Sequence, residues 1–179
     1  EKLEIPEVNH AQTTVIYFPG STIGNFEKNE AKTLLGEWRQ LCANGGGLLI
    51  GIDLVKDQKI LEDAYNDSQG ITAEFNLNIL DRINRELGAN FDTDKFSHRA
   101  HWNKENNRVE MHLVSKCQQT VNVGGQTLEF TKDETIHTES SHKYTVESFN
   151  KIAAFSGFRC KHAWLDENNW FSVQLLEAV

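Results

Sequence analysis

Thr13-Thr14-Val15-Ile16-Tyr17-Phe18, then Pro19-Gly20-Ser21-Thr22-Ile23-Gly24-Asn25, and further on Leu48-Leu49-Ile50-Gly51-Ile52-Asp53 are the stretches on which the fold turns. The first is β-branched and aromatic and reads as a strand. The second breaks it with loop chemistry. A helix fills the space before the third. Ala31, Leu34, Leu35, Trp38, Leu41 and Cys42 recur at the spacing of one helical face, Glu27 and Glu30 suit its positive N-terminal end, and Asn44-Gly45 is its expected stop. Leu48 to Asp53 is a continuous apolar run, the pattern of a strand buried on both faces. Strand, helix, strand is a βαβ unit, so the fold class is α/β with a parallel sheet. In open sheets of this kind ligands gather beyond the carboxyl ends of the strands, which brings forward the loop 19–25 and the segment from Asp53.

Working outward, residues 57–65 read as a short helix ending near Tyr65-Asn66-Asp67. Ile71, Phe75, Ile79, Leu80, Ile83 and Leu87 mark a longer one stopped at Gly88. From Phe96 to Tyr144 the pattern changes to short alternating runs with turns at Lys104–Asn107 and Gly124-Gly125, a meander of hairpins. Helical spacing returns at Val146, Phe149, Ile152 and Ala153, with Thr145 as N-cap and Gly157 as stop. Two strands near 160–165 and 170–177 close the chain as a hairpin around Asp166-Glu167-Asn168-Asn169.

Composition removes several functions. The 179 residues carry a net charge of −8 with no basic block, so nucleic acid is not an expected partner. The longest apolar stretch, Gly45 to Ile52, is too short for a membrane span and holds several glycines. Glu1-Lys2-Leu3-Glu4 is no signal peptide. Cys42, Cys117 and Cys160 lie far apart and read as reduced thiols of a cytoplasmic protein. Met111 is the single methionine and the chain does not begin with one, which leaves a processed start or a fragment of a longer protein.

Three segments carry chemistry. Gly20-Ser21-Thr22-Ile23-Gly24-Asn25 offers close backbone approach and polar side chains, but lacks the Lys-Ser/Thr of a phosphate loop. The plain alternative is a strand-to-helix connection capped by Asn25. Tyr65 and Thr72 flank a turn and suit one polar ligand group, unless Asp67 and Thr72 simply cap. In a strand over 134–144 the period of two puts Glu139 and Ser141 on one face, roughly 6.5–7 Å apart, able to grip both nitrogens of an imidazole. His137 and Lys143 would share that face, and the alternative is a solvated strand. The histidines show no His-x-x-x-His or His-Glu-x-x-His, so no metal is expected. No nucleophile with a neighbouring base stands out, and no catalytic residue is singled out.

The runs Phe18 to Phe26, Leu48 to Asp57, Tyr65-Asn66-Asp67, Phe75 to Asn78, Asn84 to Gly88, Glu110-Met111-His112-Leu113 and Ile136 to Tyr144 together resemble the histidine-specific, S-adenosylmethionine (SAM)-dependent methyltransferases of ergothioneine biosynthesis. The resemblance covers nearly the whole chain. It implies a Rossmann-like class I methyltransferase sheet, only part of it present, with an inserted α+β substrate-binding domain. Residues 1–55 and 146–179 would be methyltransferase and 56–145 the insert. It implies the cofactor SAM and the substrate L-histidine, trimethylated on its α-amine to hercynine.

Carried over by position, the resemblance puts Asn25 on the amino-acid head, Tyr65 on the substrate carboxylate with Thr72 beside it, and Gly20 and Thr22 along the same pocket. Glu139 and Ser141 would hold the imidazole, with Met111 packed near that ring. Phe18, Pro19, Gly20 and Ser21 are the part of the cofactor site this chain would carry. The family's first strand, glycine-rich cofactor turn and ribose-binding acid have no counterpart here. The chain therefore resembles the C-terminal part of such an enzyme and is expected to be inactive alone. Strand 13–18 would then form an exposed sheet edge, a route to self-association. The alternatives are a non-catalytic binding module, or a methyltransferase for another amino-acid amine such as a tryptophan derivative.

Overall fold

The computed structural model describes residues 13–42 and 45–179. In chain order the elements are β1 (Val15–Phe18), α1 (Lys28–Cys42), β2 (Gly47–Asp53), α2 (Gln58–Tyr65), α3 (Ile71–Leu87), β3 (Phe96–Asn103), β4 (Arg108–Ser115), β5 (Gln119–Val123), β6 (Gln126–Phe130), β7 (Thr135–His142), α4 (Val146–Phe155), β8 (Phe158–Leu165) and β9 (Phe171–Ala178). A one-turn 3-10 helix, Thr22–Asn25, stands between β1 and α1. The chain divides into two compact units, residues to Val55 with His142–Val179, and Lys56–Ser141.

The first unit is built on a four-stranded sheet in the order β1-β2-β9-β8. β1 and β2 are parallel, Val15 facing Gly47 through Phe18 facing Ile50, with α1 as the crossover. β9 runs antiparallel to both its neighbours, and β8–β9 is the expected closing hairpin. The face read from the sequence is the one α1 buries: Ala31, Leu35, Trp38 and Cys42 are in the core, with Leu34 and Leu41 packed against it. Leu48, Ile50 and Ile52 are fully buried there, as a continuous apolar strand requires. The expected helix stop at Asn44 lies outside the described residues. Thr145 and Ser148 form a reciprocal capping box at the start of α4.

The second unit pairs β3, β4 and β7 in one sheet and β5 with β6 in a separate hairpin. Leu80 of α3 packs with Phe91, Phe96, Leu113 and Phe130, and Leu61 of α2 with Ala100, Val109 and Met111. The sequence boundary at 145 and the structural one at His142 differ for a physical reason. Tyr144 bridges Leu54 as a parallel pair, receives the Val55 N–H at 2.9 Å and is buried in the first core. No helix among the described residues is long and apolar enough to cross a membrane.

Candidate functional site

The loop after β1 is shaped by backbone constraint. Gly20 and Ser21 both adopt left-handed conformations, φ 77° and 58°. Glycine takes this freely, whereas serine needs outside support. That support is the Asp53 N–H, which donates to Ser21 Oγ at 2.8 Å. The loop can approach β2 because residue 51 is glycine: a Cβ there would meet the Phe171 ring at 2.8 Å and the Gly20 nitrogen at 3.1 Å. Ile23 anchors the 3-10 turn in the core, leaving Thr22 and Asn25 exposed. At the start of α1 the Glu27 N–H reaches the Glu30 carboxylate at 2.9 Å. The structure thus brings Gly20, Ser21 and the Asp53 end of β2 together at the carboxyl ends of the parallel strands, with Phe18 and Pro19 leading into the loop and Thr22 and Asn25 on its outer side.

Asp53 holds a second partner. Lys143 is almost wholly buried, with its ammonium 2.7 Å from Asp53 Oδ2. This corrects the expectation that Lys143 shares a strand face with Glu139 and Ser141. β7 ends at His142, and the chain then turns to pair with Leu54. No local signal in the sequence marks this pair, whose members are far apart in the chain.

In the second unit Tyr65 ends α2, and its phenol donates to Ser141 Oγ at 2.8 Å. Ser141 is buried. Tyr65 also packs on the cluster that contains Met111. The backbone of Tyr65 is fixed as well. Its carbonyl accepts from His98 Nε2 at 2.8 Å, so His98 carries its proton there and Nδ1 is left to accept from the buried Asn76 amide at 3.0 Å. Asn66 pairs with both backbone groups of Ala100 at 3.0 Å, like one residue of an added strand.

Asp67 caps α3, taking the Ile71 and Thr72 N–H groups at 2.9 and 2.8 Å. The Thr72 backbone bond, then the Thr72 side-chain bond, then Ile71, hold the Asp67 carboxyl down at about 2. Thr72 is therefore tied to Asp67, as the capping alternative requires.

Glu139 is half-buried, and its carboxylate has no hydrogen bond or ion pair among the described residues. The strand around it is unbroken from Thr135 to His142. His137 Nε2 lies 3.1 Å from the Glu139 carbonyl and 3.1 Å from Ser140 Oγ. A residue and its third neighbour start from opposite faces of a strand, so the His137 side chain reaches along β7 to meet Ser140. What the structure brings together is Tyr65, Ser141 and Met111, with Glu139 two residues along β7.

One cluster escaped the sequence reading. On the face of β4 opposite Met111, Glu110 and His112 meet His101 of β3. Burial alone would raise the Glu110 carboxyl, but bonds from Arg108, Asn103 and His112 outweigh it and hold it at about 2. Burial pushes His112 down. Sequence spacing missed this set because cross-strand register, not a local motif, assembles it.

The comparisons with known proteins agree with this α/β frame. The histidine N-alpha-methyltransferase of Mycolicibacterium smegmatis is 39% identical over 94% of this chain and 53% of its own length. The enzyme of that name from Mycobacterium tuberculosis is 38% identical over 96% of the chain and 54% of its length. The chain thus spans about half the length of these curated relatives. Among solved structures, the CcbJ methyltransferase from Streptomyces caelestis superposes with a TM-score of 0.50 over 97% of this chain and 64% of that one, at 11% identity, a likeness of fold alone. The family model described as histidine-specific methyltransferase, SAM-dependent, matches residues 2–178. The chain belongs to the histidine-specific, SAM-dependent methyltransferase family.

Proposed function

We propose that the protein carrying this chain transfers methyl groups from SAM to the α-amine of L-histidine, in three steps that end in the trimethylammonium betaine. The observation that carries the reading is the Tyr65–Ser141 hydrogen bond, with Tyr65 packed on the Met111 cluster and an uncommitted carboxylate at Glu139 two residues before Ser141 on β7. A hydroxyl and a carboxylate suit the two nitrogens of an imidazole, one donating and one accepting. A tryptophan side chain, with one N–H and no acceptor nitrogen, would leave one of them unmatched. The insert 56–145 serves in this reading as the substrate-binding domain, with Thr72 on its second helix next to the carboxylate-binding Tyr65. In the first unit Asn25 holds the amino-acid head, lined by Gly20 and Thr22.

Phe18, Pro19, Gly20 and Ser21 would hold SAM. The fit is supported by the open space above Gly20, where a Cβ would meet nothing within 4 Å, at the carboxyl end of β1. SAM supplies an electrophilic sulfonium methyl group when bound. The chain's own part is orientation of the amine, an effect that lowers barriers of this kind by about 7–11 kcal/mol. The free thiols of Cys42, Cys117 and Cys160 suit a reducing, cytoplasmic setting.

This chain spans half the length of its curated relatives, and we propose that it does not catalyse the transfer alone. Among the described residues β1 pairs with β2 alone, and we propose self-association along that strand. Incubation of the whole protein with histidine and SAM, followed by mass spectrometry, should give a ladder of one, two and three added methyl groups. Tryptophan methylated in preference to histidine would overturn the substrate, and methylation by the 179-residue chain by itself would overturn the need for the rest.

A further inference from the structure

His101, Glu110 and His112 offer three ligand atoms that all lie within 4.8 Å of one another. Two adjacent strands build the set. Glu110 and His112 alternate onto one face of β4, and His101 sits directly opposite Glu110 on β3. Arg108 Nε at 2.8 Å and Asn103 Nδ2 at 2.9 Å both donate to Glu110 Oε1. The other oxygen, Oε2, faces the two imidazoles, with His112 Nε2 at 3.3 Å and His101 Nε2 at 3.5 Å.

These separations discriminate between two kinds of site. A carboxylate–imidazole hydrogen bond is typically about 2.7–3.2 Å. His112 makes only a long bond of 3.3 Å, His101 at 3.5 Å lies beyond that range, and the two compete for one oxygen. Ligand bonds to zinc of about 2.0–2.2 Å in a tetrahedron put neighbouring donor atoms about 3.3–3.5 Å apart. Both Glu–His edges have that length already. The Nδ1 atoms of His101 and His112 are buried with no partner among the described residues, so no bond on the far side of either ring sets its orientation. Orientation of a ligating carboxylate by bonds to its other oxygen is the usual outer support of a metal site.

We propose that His101, Glu110 and His112 form a site for a divalent transition ion, zinc being the best match, with a fourth position open to water. Two imidazoles and one carboxylate are the donor set that zinc accepts with an open place. Glu110 and His112 are largely buried, whereas the His101 side chain is 40% exposed, so an ion has access from solvent. The ion would join β3 to β4 across their register. It would lie on the face of β4 opposite Met111, so it is a clamp on this hairpin and takes no part in methyl transfer.

The test uses Co2+ as a spectroscopic probe and Zn2+ as competitor, on the metal-stripped protein that carries this chain. The expected result is one equivalent of Co2+ bound, with visible absorption of a four-coordinate ion that Zn2+ abolishes. His101→Ala should remove that absorption, and Asn103→Ala should weaken binding by about 10–100-fold. His162→Ala, at an exposed histidine elsewhere, should leave it unchanged. Circular dichroism checks that each variant is folded. Should His101→Ala not fold, His101→Gln replaces it. No Co2+ spectrum and no Zn2+ uptake by the folded protein, or binding unchanged in the folded His101 variant, would overturn the site.

Discussion

The Tyr65 phenol donates to the Ser141 hydroxyl at 2.8 Å, joining the end of α2 to the far end of β7, 76 residues later in the chain. Because Ser141 is buried, this bond sets which way its oxygen faces. Tyr65→Phe removes the donor and keeps the ring's packing on the cluster of Leu61, Ala100, Val109 and Met111. Loss of one such bond is worth about 0.5–1.5 kcal/mol, so the histidine KM of the whole enzyme should rise about two- to tenfold. Steady-state kinetics with histidine and with SAM varied separately check this, with the SAM KM unchanged.

Buried Lys143 pairs with half-buried Asp53 beside the Ser21 turn. Lys143→Met leaves the Asp53 carboxylate without that cation, and breaking such a pair from one side destabilises by on the order of 3 kcal/mol. Urea unfolding should show the midpoint fall with an unchanged slope.

Asp67 gives a pH signature. Its carboxyl is held at about 2 in the folded protein against an ordinary value of 3.8. A depressed carboxyl contributes stability that is present above its unfolded pKa and lost as pH falls through the folded one. The melting-temperature gap between the native sequence and Asp67→Asn should therefore be constant above about pH 5 and shrink as pH falls from about 4 to about 2.

The edge of β1 yields a further expectation. Val15 and Tyr17 are exposed on β1, which among the described residues pairs on one side only, with β2. Open edges pair with other chains. Light scattering on this chain alone should show an apparent mass that rises with concentration. Val15→Lys should suppress the rise, as charged residues do on natural edges.

The βαβ frame was legible because each element carried a local period: the α1 stripe, the apolar β2 run and the Thr145 cap are all short-range patterns. The same holds for Asp67 and Thr72, whose capping alternative was visible from spacing. What was not legible depends on register. His101 meets Glu110 only because β3 and β4 pair as they do, and Lys143 meets Asp53 only because the chain leaves β7 at His142. The close His137–Ser140 contact on β7 was not legible either, since how far a side chain reaches along a strand leaves no mark on a period of two.

Calorimetric titration of the whole protein with histidine and with SAM, in the native form and as Glu139→Ala, tests the central claim most directly. A carboxylate that matches an imidazole N–H contributes to histidine and nothing to the cofactor. The account predicts a large loss of histidine affinity with SAM affinity intact. Equal losses for the two ligands, or histidine binding untouched, would contradict it.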